Sequence, residues 1–137
     1  MKFRCGVGWG KHCIMTFSGF EFAAIIKMAK AMAFADGKVE KQELSSIVNE
    51  MQRFGVNPDD ADSLLEASDR METSDAVSLI SKMDLERKQY VAAFLGAIMA
   101  VDMEITDSEM AMWSLVSELC KLPTMSVRQA LEIMTSL

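Results

Sequence analysis

The sequence of 137 residues contains one histidine and three cysteines, and each scarcity excludes something. A Ser-His-Asp or Cys-His nucleophilic site needs an imidazole, and only His12 can supply one. Cys5, Cys13 and Cys120 are odd in number and form no CxxC pair, which argues against a disulfide framework and fits a reducing cytoplasm. No apolar run reaches the ~18–20 residues that span a bilayer, and the first twenty residues lack the ordered regions of a signal peptide. "GVGWG" at 6–10 has neither a lysine nor a strand–helix context, so a phosphate-binding loop is missing. Outside a short stretch within 2–8, polarity never alternates long enough to make a strand. Bases are also scarce: fourteen against twenty acids give a net charge of −6, which argues against a polyanion partner and suits a cation or a basic protein patch.

Half of the residues are hydrophobic, and the length fits one domain with its own core. Residues 1–14 stand apart. They carry Lys2, Arg4 and Lys11 without an acid, three of the seven glycines, two cysteines and the histidine, and are expected to form a flexible tail or start-site extension. Cys5, His12 and Cys13 offer three ligands without a fourth, a poor zinc site. The domain proper is assigned to residues 15–137.

Within that domain helical periodicity predominates. "SGFE" at 18–21 has the capping-box form, followed by Phe22, Ile25, Ile26, Ala29 and Met32 on one stripe. Leu44, Ile47, Val48, Met51 and Phe54 define a second helix ending at Gly55. Asn57 caps a third, with Pro58 at its first position and a weak apolar face of Leu64, Leu65 and Met71. "TSDA" opens a fourth with Val77, Ile80 and Met83. Asp84 caps a fifth bearing Tyr90, Val91, Phe94, Leu95 and Ile98. Thr106 and Glu109 box the start of a sixth, with Met110, Trp113, Val116 and Leu119, and Ser126 and Gln129 start the last beyond Pro123. The expected fold is therefore all-α, a single compact domain of about seven helices with short connections.

Shifted by 66 residues, "ADGKVEKQEL" at 35–44 falls on "VDMEITDSEM" at 101–110, matching Asp36 to Asp102, Val39 to Ile105, Glu43 to Glu109 and Ile47 to Trp113. Each copy joins two helices, so the domain is expected to hold two pseudo-repeated helical hairpins about a pseudo-twofold axis. On these residues, with "MAFADGKVEKQELSSI" and "MAVDMEITDSEMAMWSLVSELCKLP", the chain resembles the TerB-like tellurite-resistance family over most of 17–136. The resemblance implies a compact helical domain, cytoplasmic or on the cytoplasmic side of a membrane. Related domains occur in J-domain co-chaperones and stress-response assemblies. No catalytic residues come with it. It also implies a cation-binding face at Asp36, Glu43, Asp102 and Glu109, although Met103 replaces the glycine of "ADG" in the second copy.

An EF-hand loop fails on inspection. Aligning Asp36, Gly37 and Glu43 with positions 5, 6 and 12 puts Met32 and Phe34 where oxygen ligands belong. Two roles remain for the four acids: ligands for calcium or magnesium shared between the hairpins, or helix caps that complement the dipole by ~0.3–1 kcal/mol each. The thirteen methionines lie mostly on apolar stripes and read as core filler, with Met110, Met112 and Met125 near Trp113 as a candidate partner groove. Cys120, among Val116, Leu119 and Leu122, reads as a buried thiol. Arg87 and Lys88 read as an isolated pair on a solvated helix face. The leading expectation is a non-enzymatic cytoplasmic module of a stress or tellurite-resistance type, working through protein contacts and divalent-cation binding. The alternative is a small carboxylate-based metal-dependent enzyme or metal sensor.

Overall fold

A computed structural model of the protein describes residues 2–4, 14–33, 47, 49, 51–52, 56–100 and 105–136. Two short strands, β1 (Lys2–Arg4) and β2 (Ile14–Thr16), pair antiparallel with Phe3 opposite Met15, so the ladder crosses the expected boundary at residue 14. Everything else with assigned structure is helical. Six helices have both ends among the described residues: α1 (Gly19–Ala33), α2 (Pro58–Arg70), α3 (Thr73–Ser81), α4 (Leu85–Met99), α5 (Asp107–Leu119) and α6 (Val127–Thr135). Residues 47, 49, 51 and 52, where a further helix is expected, are helical too. The all-α expectation therefore holds. No described helix is long and apolar enough to cross a membrane.

The helix starts follow from local chemistry. Ser18 and Glu21 exchange hydrogen bonds at 2.8 and 3.1 Å, and Ser126 and Gln129 do the same at 2.9 and 3.1 Å. Asn57 accepts from the Asp59 amide at 3.0 Å, and Asp84 from the Arg87 amide at 2.9 Å. Each bond satisfies a backbone donor that the first turn leaves without a partner. α5 ends differently. Leu122 N–H donates to Ser117 O at 2.8 Å and Lys121 N–H to Glu118 O at 3.2 Å, with Lys121 at φ 56°. That is a Schellman ending whose left-handed position holds a lysine instead of the usual glycine.

α1 and α4 form the centre of the molecule. Residues 22–26 of α1 and Val91–Met99 of α4 are buried without interruption, as expected for helices covered on every side. α1 packs against α2, α3, α4 and α5, whereas α4 packs chiefly against α6. Met28, Met32, Met51, Met83, Met99 and Met134 lie in the core, filling gaps as the sequence suggests. Gly96 marks the tightest crossing, where an added Cβ would lie 2.7 Å from the Ala130 Cβ and 2.9 Å from the Trp113 ring.

The repeat reaches beyond the two joints. α1 and α4 have fifteen residues each and are offset by 66, and their caps, Ser18 and Asp84, share that offset. Matched positions also touch: Arg87 Nη1 donates to Glu21 Oε2 at 3.0 Å, as equivalent residues do beside a twofold axis.

Candidate functional site

Of the four acids singled out for cation binding, Asp36, Glu43 and Asp102 lie outside the described residues, as do Glu40 and Glu104. Glu109 is visible at the start of α5, half-buried. Its Oε1 accepts from the Thr106 amide and hydroxyl, each at 3.1 Å, while Thr106 Oγ1 accepts from the Glu109 amide at 3.1 Å. This capping box uses one carboxylate oxygen and leaves Oε2 as the atom through which Glu109 would hold a cation. Asp107, one position into the helix, is exposed. Among the described residues, no three His, Cys, Asp or Glu side chains gather closely enough to hold a metal.

Arg87 departs from the expected solvated face. Its guanidinium bridges to Glu21 and sits 5.3 Å from the centroid of the buried Phe17 ring, with about a quarter of its side chain exposed. Phe17 in turn packs on Phe22, centroids 5.1 Å apart. Glu21 thus uses Oε1 for its cap and Oε2 for Arg87. The 66-residue offset between an acid and a base was the available signal for this contact. Periodicity cannot show it, because the residues meet through packing.

Cys120 is free and fully buried, as expected. Burial pushes its thiol up to about 11, against a smaller opposing pull from Lys88, so at neutral pH it is protonated and a poor nucleophile.

Among the described residues, three surface depressions carry apolar side chains. Met110, Trp113, Leu122 and Met125, with Glu118 at the edge, line one of about 260 Å³. Met112, named with them from the sequence, packs instead against the core. Trp113 is anchored below by its indole N–H, which donates to Ala92 O at 3.3 Å. The second depression, also about 260 Å³, has Leu85, Met125 and Ile133 in its wall. The largest, about 430 Å³, lies between the start of α1 and the α2–α3 junction, beside Phe20. Phe20 and Leu85 are 72% and 71% exposed, the most open large apolar side chains among the described residues.

A helical domain built from two related units, with capped acidic starts and apolar surface hollows, is the class of protein defined by this geometry. The family model for "Tellurite resistance protein TerB" matches residues 22–132, and the chain belongs to that family. It is similar to the crystal structure of a protein of unknown function from Porphyromonas gingivalis, with 53% sequence identity and a TM-score of 0.85. That match covers 95% of this chain and 98% of the other. No curated protein matches.

Proposed function

We propose that this TerB-family chain is a non-enzymatic helical module that acts through protein contacts in a cytoplasmic stress or tellurite-resistance type of response. Calcium or magnesium is a second ligand of its acidic turns. The observation that carries the reading is the apolar surface that remains after the core is filled. Phe20, Leu85, Ile105, Met110, Leu115, Leu119 and Leu131 stay exposed, several of them beside hollows wide enough for a partner's side chain. Exposed apolar side chains beside such hollows suit a partner's contact, because water is displaced from both surfaces when they meet.

Affinity capture with the immobilised chain, in the presence and absence of chelator, tests the reading. A specific partner should be retained by the wild type and released when exposed leucines are changed to serine. No partner under either condition refutes it. Calorimetric titration with calcium and magnesium tests the cation. Glu109→Gln preserves the capping geometry, since Gln129 fills the same role in α6. Loss of heat at unchanged melting temperature would therefore identify Glu109 as a ligand. Absence of heat in the wild type removes the cation from the proposal.

A further inference from the structure

The hollow beside Phe20 is formed largely by the most acidic stretch of the described residues. Residues 57–81, which hold α2 and α3, contain seven acids and one base. Elsewhere the chain has thirteen of each, so the whole net charge of −6 belongs to this one segment. All seven acids, Asp59, Asp60, Asp62, Glu66, Asp69, Glu72 and Asp75, are exposed. Lys30 pairs with Asp69 at 2.5 Å and Arg70 with Glu66. The other five make no ion pair among the described residues.

This segment also forms most of the 430 Å³ hollow. Among the described residues, Phe20, Ala67, Met71 and Leu79 supply its apolar surface, and Glu72 and Asp75 stand at its edge, with Arg70 tied to Glu66. The Leu85 hollow occupies a comparable place in the second unit, at the start of α4: Ile133 stands 66 residues beyond Ala67, while Leu85 lies one residue short of the position matching Phe20. Among the described residues it is lined by Leu85, Gln89, Thr124, Gln129 and Ile133 with others, none of them charged. Two hollows thus share an exposed apolar side chain at a helix start, and among the described residues only the Phe20 hollow has acids without an ion pair, Glu72 and Asp75, in its lining.

We propose that the Phe20 hollow is a docking site for a basic polypeptide segment of another protein, with a large apolar side chain seated against Phe20, Met71 and Leu79 and lysines or arginines facing Glu72 and Asp75. The proposal rests on the protein-contact reading above and names its surface and partner chemistry. Apolar contact supplies affinity, while the acidic surround speeds encounter and rejects acidic competitors. A second copy of this chain offers no such excess of positive charge on its described helices.

The probe is a short dye-labelled peptide of lysine, leucine and one tryptophan, followed by fluorescence anisotropy. A companion peptide has glutamate in place of every lysine. The lysine peptide should bind, and more weakly as salt rises, because exposed charges are screened beyond ~8–10 Å at physiological ionic strength. Phe20→Ser, at an exposed position that leaves the core intact, should weaken it about tenfold, the scale of an interface anchor. Leu85→Ser should leave affinity unchanged. Glu72→Lys with Asp75→Lys should lower affinity and flatten the salt dependence. Equal binding of the glutamate peptide, equal loss in Phe20→Ser and Leu85→Ser, or no binding of the lysine peptide overturns the proposal. So does self-association in sedimentation that Phe20→Ser abolishes, since the occupant is then a second copy. A captured partner that survives Phe20→Ser but is lost from another surface refutes this site and leaves the broader reading standing.

Discussion

Gly96→Ala tests the packing that holds the second repeat unit together. In an ordinary helix interior the change should stabilise by about 1 kcal/mol, because alanine loses less backbone entropy than glycine. At Gly96 the new methyl would lie 2.7 Å from the Ala130 Cβ and 2.9 Å from the Trp113 ring. Neither neighbour yields easily. The Ala130 Cβ moves only if α6 moves, and the Trp113 indole is pinned to Ala92 O. Overpacking costs ~1–3 kcal/mol in well-filled cores, and two rigid contacts below 3 Å put this site in the upper half of that range. The net expectation is a loss of about 1–2 kcal/mol. Unfolding entropy of ~2.1 cal/mol/K per residue gives roughly 290 cal/mol/K for the chain, so melting should fall by about 4–7 °C.

Calorimetry or urea denaturation measures the loss, and a double-mutant cycle assigns it. Ala130→Gly alone should cost about 1 kcal/mol in mid-helix. Combined with Gly96→Ala it removes the closest clash, so the double variant should be less destabilised than the sum by about 1 kcal/mol or more. A rise in melting temperature for Gly96→Ala, or strict additivity in the pair, would refute the reasoning and mean that α6 shifts at negligible cost.

Arg87→Ala should destabilise by about 1–2 kcal/mol, between an exposed ion pair and a charged hydrogen bond in the interior. A cycle with Glu21→Gln should show coupling, and unchanged stability would return Arg87 to the solvated class. Lys121→Gly should stabilise by about 0.5–1 kcal/mol in urea denaturation, because glycine accepts φ 56° without the Cβ strain that lysine bears. In a Cys5→Ser, Cys13→Ser background, Cys120 should react with a thiol reagent only as fast as the protein opens. Its thiol is raised by folding from the ordinary 9.0 to about 11, so its contribution is fully present below pH 9 and lost as pH rises through 11. Tyr90, also raised by burial and by Glu86, acts in the same direction above its ordinary 10.0. Cys120→Ala should make the alkaline decline shallower, and an unchanged decline would exclude the thiol.

Whatever depends on neighbours within about one helical turn was legible in the chain before folding is considered. Ser18, Asn57, Asp84, Thr106 and Ser126 could be read as caps because each binds an amide two or three residues away. The stripe from Phe22 to Met32 was legible as core, and Cys120 as buried, from spacing alone. The 66-residue repeat was visible in "ADGKVEKQEL" and "VDMEITDSEM", but only the fold extended it to two matched fifteen-residue helices. Three of the four acids on which the cation reading rests, Asp36, Glu43 and Asp102, lie outside the described residues, and Glu109 alone can be set against it.

Tertiary structure decided what spans the repeat. Arg87 looked solvated because nothing within four residues of it indicates Glu21 or Phe17, yet packing α4 on α1 brings both to its guanidinium. The acids of residues 57–81 could be counted from the chain, whereas the place of Glu72 and Asp75 beside a hollow walled by Phe20 could not. Charge is a property of composition, but which apolar surface it surrounds depends on how α1 lies against α2 and α3. That placement is set by the burial of core side chains distant in sequence, the long-range term that no local pattern encodes.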